Sequence, residues 1–352
     1  MHTAIRVLVV DDSPSVCRLL AAFLRGAAGV AVAGTAHTGE EAVAKVAELN
    51  PDVVTLDLDM PGMGGLAALD RIMTTRPTPV LLLSGVSGEA AAQTVEGLSL
   101  GAVDFLLKYV PGRDTRPEAL RRELLAKVRV AAGVKVVRSL HTASTAPPAP
   151  AVRPVAAPAG PAPAVIVVGA STGGPAAVRA LLCGLPPDPP AGVLVVQHMP
   201  PRFTRALAAL LGRQTRLPVR EAADGDRLAP GLVLVAPGER HAVVGRDARV
   251  RLADGPKVNG HRPSIDVTME SAARALGPRA IGVLLTGMGE DGARGLAALR
   301  AAGARTFAQD AESCAVYGMP RRAAELGAVD ETDAPAGIAA RIAVRLKTSR
   351  GV

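Results

Sequence analysis

The chain is predicted to be an α/β protein made of two parallel-sheet domains joined by a linker. In both halves of its 352 residues, short runs of Val, Leu and Ile alternate with segments of helix length. Strands separated by helices in this way are typical of βαβ units. Aromatic residues make up only 2% of the chain and Trp is absent, so the cores must be aliphatic, which suits such layers.

The first domain is expected over residues 1–136, with a five-stranded parallel sheet. Helical patterns separate the strands, and one more follows the last strand. Parallel sheets bind ligands beyond the carboxyl ends of their strands, so the residues at those ends are the first functional candidates. The predicted strands are Ile5–Val10, Val30–Ala36, Val53–Asp57, Val80–Ser84 and Val103–Leu107.

Acidic, hydroxyl and basic residues lie at four of these five strand ends. Asp11 and Asp12 follow the first strand, Asp57 ends the third, Ser84 ends the fourth and Lys108 follows the fifth. Clustered carboxylates repel one another, so such a pocket favours a hard divalent cation, and oxygen ligands suit Mg²⁺. A carboxylate beside Mg²⁺ can attack a phosphoryl group, whose charge an ammonium and a hydroxyl can then bind. A helix-capping role stays open for Asp12 and for Asp59, which follows the third strand.

A linker is predicted over residues 137–164. The segment consists largely of Ala, Pro, Thr and Ser and has almost no bulky apolar residues. It therefore cannot form a core, and its composition is typical of a semi-extended tether with polyproline character. A docking segment for a proline-binding partner is the alternative.

The second domain is expected over residues 165–348 and repeats the alternation of strands and helices. A doubly wound sheet is predicted, again with functional side chains at its strand ends. The predicted strands are Val165–Val168, Val193–Gln197, Val233–Ala236, Ile281–Leu285 and Thr306–Gln309. The predicted helices are Ala176–Leu182, Thr204–Leu211, Ser264–Leu276 and Ala293–Ala301.

A serine lies in a glycine-rich turn directly after the first strand of this domain. The pattern Gly169-x-Ser171-x-Gly173 is typical of a nucleophile elbow, in which a sharp strand-to-helix turn exposes the serine oxygen. The alternative is an ordinary turn in which Ser171 caps the next helix. The turn lacks the G-x-G-x-x-G spacing of a dinucleotide site.

Two further strand ends supply the partners that a nucleophilic serine needs. His198 follows the second strand, and Asp291 lies in a glycine-rich loop after the fourth. An imidazole can take the serine proton, and a carboxylate on its other nitrogen fixes the tautomer. Asp310 competes with Asp291 for the carboxylate role. The other histidines are expected to be structural, and Asp266 is expected to cap its own helix.

The composition disfavours several other classes. The net charge is +8, but Lys and Arg are scattered, so no nucleic-acid binding is expected. Cys17, Cys183 and Cys314 form no CxxC or Cys/His spacing and are expected to be buried free thiols. The N-terminal apolar run is too short for a membrane span, so no membrane insertion and a cytoplasmic location are expected.

The first domain resembles the receiver domain of two-component response regulators, which has a flavodoxin-like fold. A receiver implies Mg²⁺-dependent phosphorylation by a histidine kinase of a chemosensory system. Tyr109 departs from the pattern, because receivers usually have a proline after the lysine. The implied roles are phosphoacceptor for Asp57, Mg²⁺ ligands for Asp11, Asp12 and Asp57, phosphoryl contacts for Ser84 and Lys108, and switch aromatic for Phe105.

The second domain, and the receiver–linker–catalytic order of the chain, resemble the CheB chemotaxis methylesterase family. The stretches that carry this resemblance are Gly169–Pro175, Gln197–Pro200, His261–Val267 and Leu284–Ala293. They imply a Rossmann-like catalytic domain that needs no cofactor for the esterase reaction. The implied roles are nucleophile for Ser171, base for His198, orienting carboxylate for Asp291, and oxyanion contacts for the backbone near Thr172 and Met288.

The resemblance also implies a reaction and its control. Glutamyl methyl esters on methylated chemoreceptor helices are the expected substrate, hydrolysed through an acyl-serine, with glutamine deamidation as the same acyl transfer. The unphosphorylated receiver is expected to cover the Ser171 site, and phosphorylation of Asp57 to weaken that packing.

Overall fold

The computed structural model describes residues 4–108, 117–134 and 164–348. The chain divides into two compact units, Met1–Ala143 and Ser144–Val352. Tyr109 and residues 137–163 of the predicted linker lie outside the described residues. None of the helices within the described ranges is both long and apolar enough to cross a membrane.

The first unit contains a five-stranded, fully parallel sheet, as predicted. Its strand order β2-β1-β3-β4-β5 is that of flavodoxin-like folds. The fifth strand begins at Asp104, one residue later than predicted. The strands are β1 (Ile5–Val10), β2 (Val30–Ala36), β3 (Val53–Asp57), β4 (Val80–Ser84) and β5 (Asp104–Leu107). The helices are α1 (Pro14–Arg25), α2 (Gly39–Leu49), α3 (Gly64–Thr75), α4 (Gly88–Ser99) and α5 (Pro117–Ala132).

Side-chain caps and burial explain where these elements begin and what they cover. Ser13 accepts a hydrogen bond from the Val16 N–H and caps α1, so Asp12 does not have the capping role left open for it. Strands β3 and β4 are buried along their whole length, because helices cover both faces of a parallel sheet. This packing leaves the strand ends as the accessible edge.

The second unit contains a seven-stranded parallel sheet of order β14-β13-β12-β6-β7-β9-β8 and a two-stranded antiparallel sheet, β10-β11. The strands are β6 (Ala164–Ala170), β7 (Ala191–Gln197), β8 (Val219–Glu221), β9 (Val233–Val235), β10 (His241–Val244), β11 (Val250–Ala253), β12 (Ala280–Leu284), β13 (Arg305–Gln309) and β14 (Glu331–Asp333). The helices are α6 (Gly174–Gly184), α7 (Phe203–Gln214), α8 (Ile265–Leu276), α9 (Ala293–Ala301), α10 (Met319–Glu325) and α11 (Pro335–Thr348). The five strands and four helices predicted for this unit are all present.

The strand order reverses at β6 in the middle of the sheet. From β6 the chain proceeds to β7 on one side, and later resumes at β12 on the other. Ligands of doubly wound sheets bind outside the carboxyl ends of the strands at such a switch point. The loops after β6 and β12 are therefore where a site is expected.

The prediction of three buried cysteines was only partly right. All three thiols are free, and Cys17 is buried. Cys183 is exposed and Cys314 is half-buried. Cys183 lies near the end of α6, where its thiol approaches the carbonyl oxygen of Gln214 at 3.5 Å and does not enter the core.

Candidate active site and phosphorylation site

Ser171 lies at the switch point of the second sheet, where the loops after β6 and β12 meet. Its N–H donates to the carbonyl oxygen of Thr286 at 3.0 Å. Its own carbonyl oxygen accepts from the Gly174 N–H and from Nε2 of Gln197, each at 2.8 Å. The N-cap of α6 is Gly173, at φ 75, so Ser171 does not cap this helix. The serine turn is thus fixed through its backbone by both neighbouring strand ends.

Gln197 also packs closely against the serine turn, in addition to its hydrogen bond to Ser171. A Cβ on Gly174 would lie 2.0 Å from Oε1 of Gln197, so this position in the turn has room only for hydrogen. Gln197 is 1% exposed. Its role at the turn was not predicted, because the sequence signal in Gln-His-Met-Pro was assigned to the histidine alone.

His198 and Asp291 form a buried hydrogen-bonded pair. Nε2 of His198 lies 2.8 Å from Oδ2 of Asp291, and the two side chains are 6% and 1% exposed. Nδ1 of His198 is buried and has no hydrogen-bond partner among the described residues. Asp310, the competing carboxylate, instead accepts from the Ser313 N–H at 2.7 Å. The geometry therefore pairs the imidazole with Asp291 and leaves one ring nitrogen able to accept a proton.

The Asp291 carboxylate is surrounded by hydrogen-bond donors. Burial alone would raise its pKa, but the donors, led by His198, hold the pKa of Asp291 well below its usual range. The Ile265 N–H belongs to the first turn of α8, where a helix favours negative charge. The donors are Nε2 of His198 (2.8 Å), the N–H groups of Ile265 (2.7 Å) and Asp266 (3.4 Å), Oγ of Ser264 (2.8 Å) and Nδ2 of Asn259 (2.9 Å).

A second histidine lies flat against the first. The rings of His261 and His198 stack at 3.7 Å between centroids with 3° between their planes. Burial, followed by the charge of His198, lowers the pKa of His261 to about 4, so His261 is neutral near neutral pH. His241, in contrast, bonds to the carbonyl oxygen of Pro256 and the Ser264 N–H, a structural arrangement.

The prediction that Asp266 caps its own helix was wrong. Ser264 caps α8, since its Oγ accepts from the Val267 N–H. Asp266 instead accepts from the N–H groups of Gly292 at 2.9 Å and Gly295 at 2.7 Å. It therefore caps the neighbouring helix α9 and anchors the loop that contains Asp291.

Thr172 and Met288 lie on the two loops that flank Ser171. The carbonyl oxygen of Thr172 accepts from Oγ1 of Thr286 at 3.0 Å, which ties one loop to the other. Met288 is 49% exposed. Between them, a Cβ on Gly287 would lie 2.7 Å from Cβ of Ser171. The backbone of the second loop therefore passes directly beside the serine.

In the first domain, the structure gathers the predicted carboxylates and lysine at one edge of the sheet. Nζ of Lys108 lies 2.8 Å from Oδ2 of Asp11 and 2.6 Å from Oδ2 of Asp57. Carboxylate oxygens of Asp11, Asp12 and Asp57 lie within 4.8 Å of one another. Three carboxylates converging on one point, two of them buried, fit a divalent cation.

Burial and the contacts between Asp11, Asp57 and Lys108 shift the pKa values of Asp57 and Lys108. Burial raises the pKa of the Asp57 carboxyl despite the hydrogen bond from Lys108. Burial also opposes the charge of Lys108, but hydrogen bonds to Asp11 and Asp57 raise the pKa of its ammonium group. A divalent cation would reduce the mutual repulsion of these carboxylates, which now share the charge of one lysine.

The remaining predicted receiver residues lie on the adjoining strands. Oγ of Ser84 is buried, accepts from Oγ1 of Thr94 at 2.7 Å and lies 3.0 Å from the carbonyl oxygen of Gly85. The Lys108 N–H donates to the Ser84 carbonyl oxygen at 2.9 Å, so these two strand ends are adjacent. Phe105 is buried, with Nζ of Lys127 5.7 Å from its ring centre.

The fold and site define a class: an α/β domain with a Ser-His-Asp set at its switch point, preceded by a receiver-type carboxylate pocket. The family model for the CheB methylesterase matches residues 166–342, and that for the response regulator receiver domain matches residues 7–118. The chain therefore belongs to the CheB methylesterase family, and the predicted family and fold class are confirmed.

Individual relatives span nearly the whole chain. A Symbiobacterium thermophilum protein and a Pseudomonas aeruginosa protein are each 45% identical and cover 93% of this chain and 93% of their own length. Both are named protein-glutamate methylesterase/protein-glutamine glutaminase. The crystal structure of the Thermotoga maritima CheB methylesterase catalytic domain is 38% identical, with a TM-score of 0.50, over 51% of this chain and 97% of that one.

Proposed function

We propose that this chain hydrolyses glutamyl methyl esters on chemoreceptors at Ser171 and that phosphorylation of Asp57 controls this activity. The observation that carries the proposal is the buried His198–Asp291 pair beside the serine turn, where Nδ1 of His198 has no hydrogen-bond partner in the part of the chain that the structure describes. The activities named for the relatives, methylesterase and glutaminase, are both acyl transfers that this set can perform.

In the acylation step, Oγ of Ser171 attacks the ester carbonyl carbon while Nδ1 of His198 takes the serine proton. Asp291, on Nε2, stabilises the imidazolium that forms. The oxygen of the tetrahedral intermediate is bound by backbone N–H groups of Thr172 and Met288, on the loops that flank the serine. Collapse breaks the bond to the methoxy oxygen, which takes the proton from His198 and leaves as methanol.

Deacylation repeats the same chemistry with water. His198 removes a proton from water, whose oxygen attacks the acyl carbon, and collapse returns the electron pair and the proton to Oγ of Ser171. The products are a glutamyl carboxyl group and the free enzyme. When glutamine replaces the methyl ester, ammonia leaves in place of methanol and the second half is identical.

In the receiver, an oxygen of Asp57 attacks the phosphorus atom of a phosphodonor while the bond from phosphorus to the donor's leaving group breaks, which gives an acyl phosphate at Asp57 and the released donor. We propose that the donor is the phosphohistidine of a histidine kinase of a chemosensory system, in which case the P–N bond breaks and the imidazole leaves. Asp11, Asp12 and Asp57 would hold Mg²⁺, which when bound neutralises charge on the carboxylates and the phosphoryl oxygens. Lys108 then binds a phosphoryl oxygen, and the Ser84 hydroxyl donates to another.

Control requires that phosphorylation favours one of two states of the protein. We propose that the unphosphorylated receiver limits access of the chemoreceptor helix to Ser171 and that the acyl phosphate at Asp57 relieves this limit. Support comes from the joining of a receiver to a hydrolase domain in one chain.

Replacement of the nucleophile tests the catalytic half of the proposal. Ser171→Ala should abolish methanol release from methylated chemoreceptor fragments, because it removes the attacking oxygen; the other hydroxyl at the pair, Oγ of Ser264, is buried and donates to Oδ1 of Asp291 at 2.8 Å. The matched control is acetyl-phosphate labelling of Asp57, which should proceed as in the wild type. Turnover by Ser171→Ala close to the wild-type rate would rule out Ser171 as the nucleophile.

A further inference from the structure

An asparagine at the surface of the second domain connects the His198–Asp291 pair to another buried carboxylate. Nδ2 of Asn259 donates to Oδ1 of Asp291 and to Oδ2 of Asp266, each at 2.9 Å. Asn259 is exposed, whereas both aspartates are 1% exposed. A neutral amide therefore spans two buried anions from the solvent side.

The backbone holds this asparagine in a conformation that few residues adopt. Asn259 has φ 52 and Gly260 has φ 81, and Val258 pairs with His261 across them. Positive φ at both central residues defines a type I′ turn, for which Asn-Gly is strongly favoured. The turn ends in His261, whose ring stacks on His198. One short turn thus contacts both members of the catalytic pair.

We propose that Asn259 is a positioning residue for acyl transfer, an amide clamp that fixes the Asp291 carboxylate against His198 and separates it from Asp266. The inference rests on the proposed function, because it assigns Asn259 to that same site. Two carboxylates that share a site repel each other, and a donor placed between them stabilises both charges. An ionised, fixed Asp291 keeps Nε2–H of His198 directed at itself and Nδ1 available to the nucleophile.

Charged side chains surround the Asn259 amide. Nε of Arg294 lies 3.2 Å from Oδ2 of Asp266, and its terminal nitrogen lies 3.4 Å from Oδ1 of Asn259. Lys257 adds positive charge near His261. The titratable and charged groups that face the amide are thus Asp266, Asp291, Arg294, His198, His261 and Lys257.

Two substitutions of Asn259 distinguish the effect of its donated hydrogen bonds from the effect of its backbone conformation. Asn259→Gly keeps the positive φ and removes both donated hydrogen bonds, whereas Asn259→Asp keeps the shape and adds a third carboxylate. For methanol release by the full-length protein, Asn259→Gly should lower kcat about tenfold, the value of a hydrogen bond to a charged group near the surface. KM should stay unchanged, and the factor should be the same at every pH.

Asn259→Asp should lose more activity than Asn259→Gly at neutral pH. Its kcat relative to the wild type should recover as the pH falls, because the introduced carboxyl group, once protonated, can again donate to Asp291. A wild-type kcat for Asn259→Asp, or a loss equal to that of Asn259→Gly at every pH, overturns the clamp. Should Asn259→Asp fail to fold, a wild-type kcat for Asn259→Gly overturns it as well.

A readout without substrate distinguishes failure of the clamp from failure of the proposed function. The low-field proton NMR signal of the His198 Nε2–H reports its hydrogen bond to Asp291 directly. The signal should move in Asn259→Gly and Asn259→Asp relative to the wild type. If the wild type releases no methanol but the signal moves, the proposed substrate is wrong and the clamp stands. An unchanged signal in both variants overturns the clamp whatever the wild-type activity.

Discussion

Replacing Gly287 by alanine puts a methyl group into the space between the nucleophile and the core. The added Cβ would lie 2.7 Å from Cβ of Ser171 and 2.3 Å from Sδ of Met319, where ordinary contacts begin at 3.4 Å. Met319 is fully buried and its N–H donates to the Gly287 carbonyl oxygen at 2.9 Å, so it cannot absorb the whole displacement. Part of the shift must therefore move Ser171.

The size of the expected effect follows from these distances. To restore ordinary contact, the neighbouring atoms must move apart by about 1 Å, and a misplacement of that size can lower a rate about 100-fold. Overpacking should also lower the free energy of unfolding by about 1 to 3 kcal/mol. A 100-fold loss of rate corresponds to about 2.7 kcal/mol in activation free energy, comparable with the expected loss of stability. The domain should therefore remain folded while the Ser171 hydroxyl leaves the line of attack.

Methanol release and thermal unfolding of Gly287→Ala test this reasoning together. Gly212→Ala, within α7, is the matched control, since its Cβ would meet only Val219 of β8 at an ordinary distance, 3.5 Å at the closest. It should keep the wild-type kcat and the wild-type stability or slightly more. A folded Gly287→Ala protein with wild-type kcat would refute the tight placement of Ser171 against the loop after β12.

Three further outcomes are expected. Removing residues 1–163 should raise basal methanol release if the receiver limits access; an unchanged or lower rate from the folded fragment would count against that control. Gly65→Ala should abolish acetyl-phosphate labelling, because its Cβ would lie 2.1 Å from the Asp57 carbonyl oxygen, whereas Gly88→Ala, with open space around it, should label normally; equal labelling would contradict the packing. Folding lowers the pKa of His261 from 6.5 to about 4, so as the pH falls the histidine of the unfolded chain takes up a proton before that of the folded domain. The free energy of unfolding of the second domain should therefore fall by about 2 kcal/mol between pH 6.5 and 4, a value reduced to allow for solvent screening. Urea unfolding should show no such loss in His261→Phe; the same slope in both proteins would disprove it.

Strand positions and strand-end residues could be predicted because their signals are local. Hydrophobic runs delimit strands such as Val53–Asp57 to the residue. Because neighbouring strands of a parallel sheet run in the same direction, their carboxyl ends lie at one edge of the sheet. Ser171 and His198 follow the ends of β6 and β7, and Asp291 lies in the loop after β12, so the gathering of these three loops needed only the strand order. Their catalytic roles stay predictions until the variants are assayed.

Contacts between distant segments could not be predicted in the same way. Asp266 looked like a cap for its own helix, but its partners Gly292 and Gly295 lie on a neighbouring helix 26 to 29 positions further along. Only the packing of α8 on α9 brings them together. Asn259 likewise depends on a turn whose side chain reaches two aspartates from separate segments. A single sequence contains no signal for such pairings.

The central claim is that Ser171 performs acyl transfer under control of Asp57. Methanol release from methylated chemoreceptor fragments, measured on one preparation before and after addition of acetyl phosphate and Mg²⁺, tests it most directly. The wild type should release methanol faster after addition, Asp57→Asn should keep its basal rate unchanged, and Ser171→Ala should release none in either condition. Equal rates before and after in a wild-type protein labelled at Asp57 would contradict the control, and sustained release by Ser171→Ala would contradict the site itself.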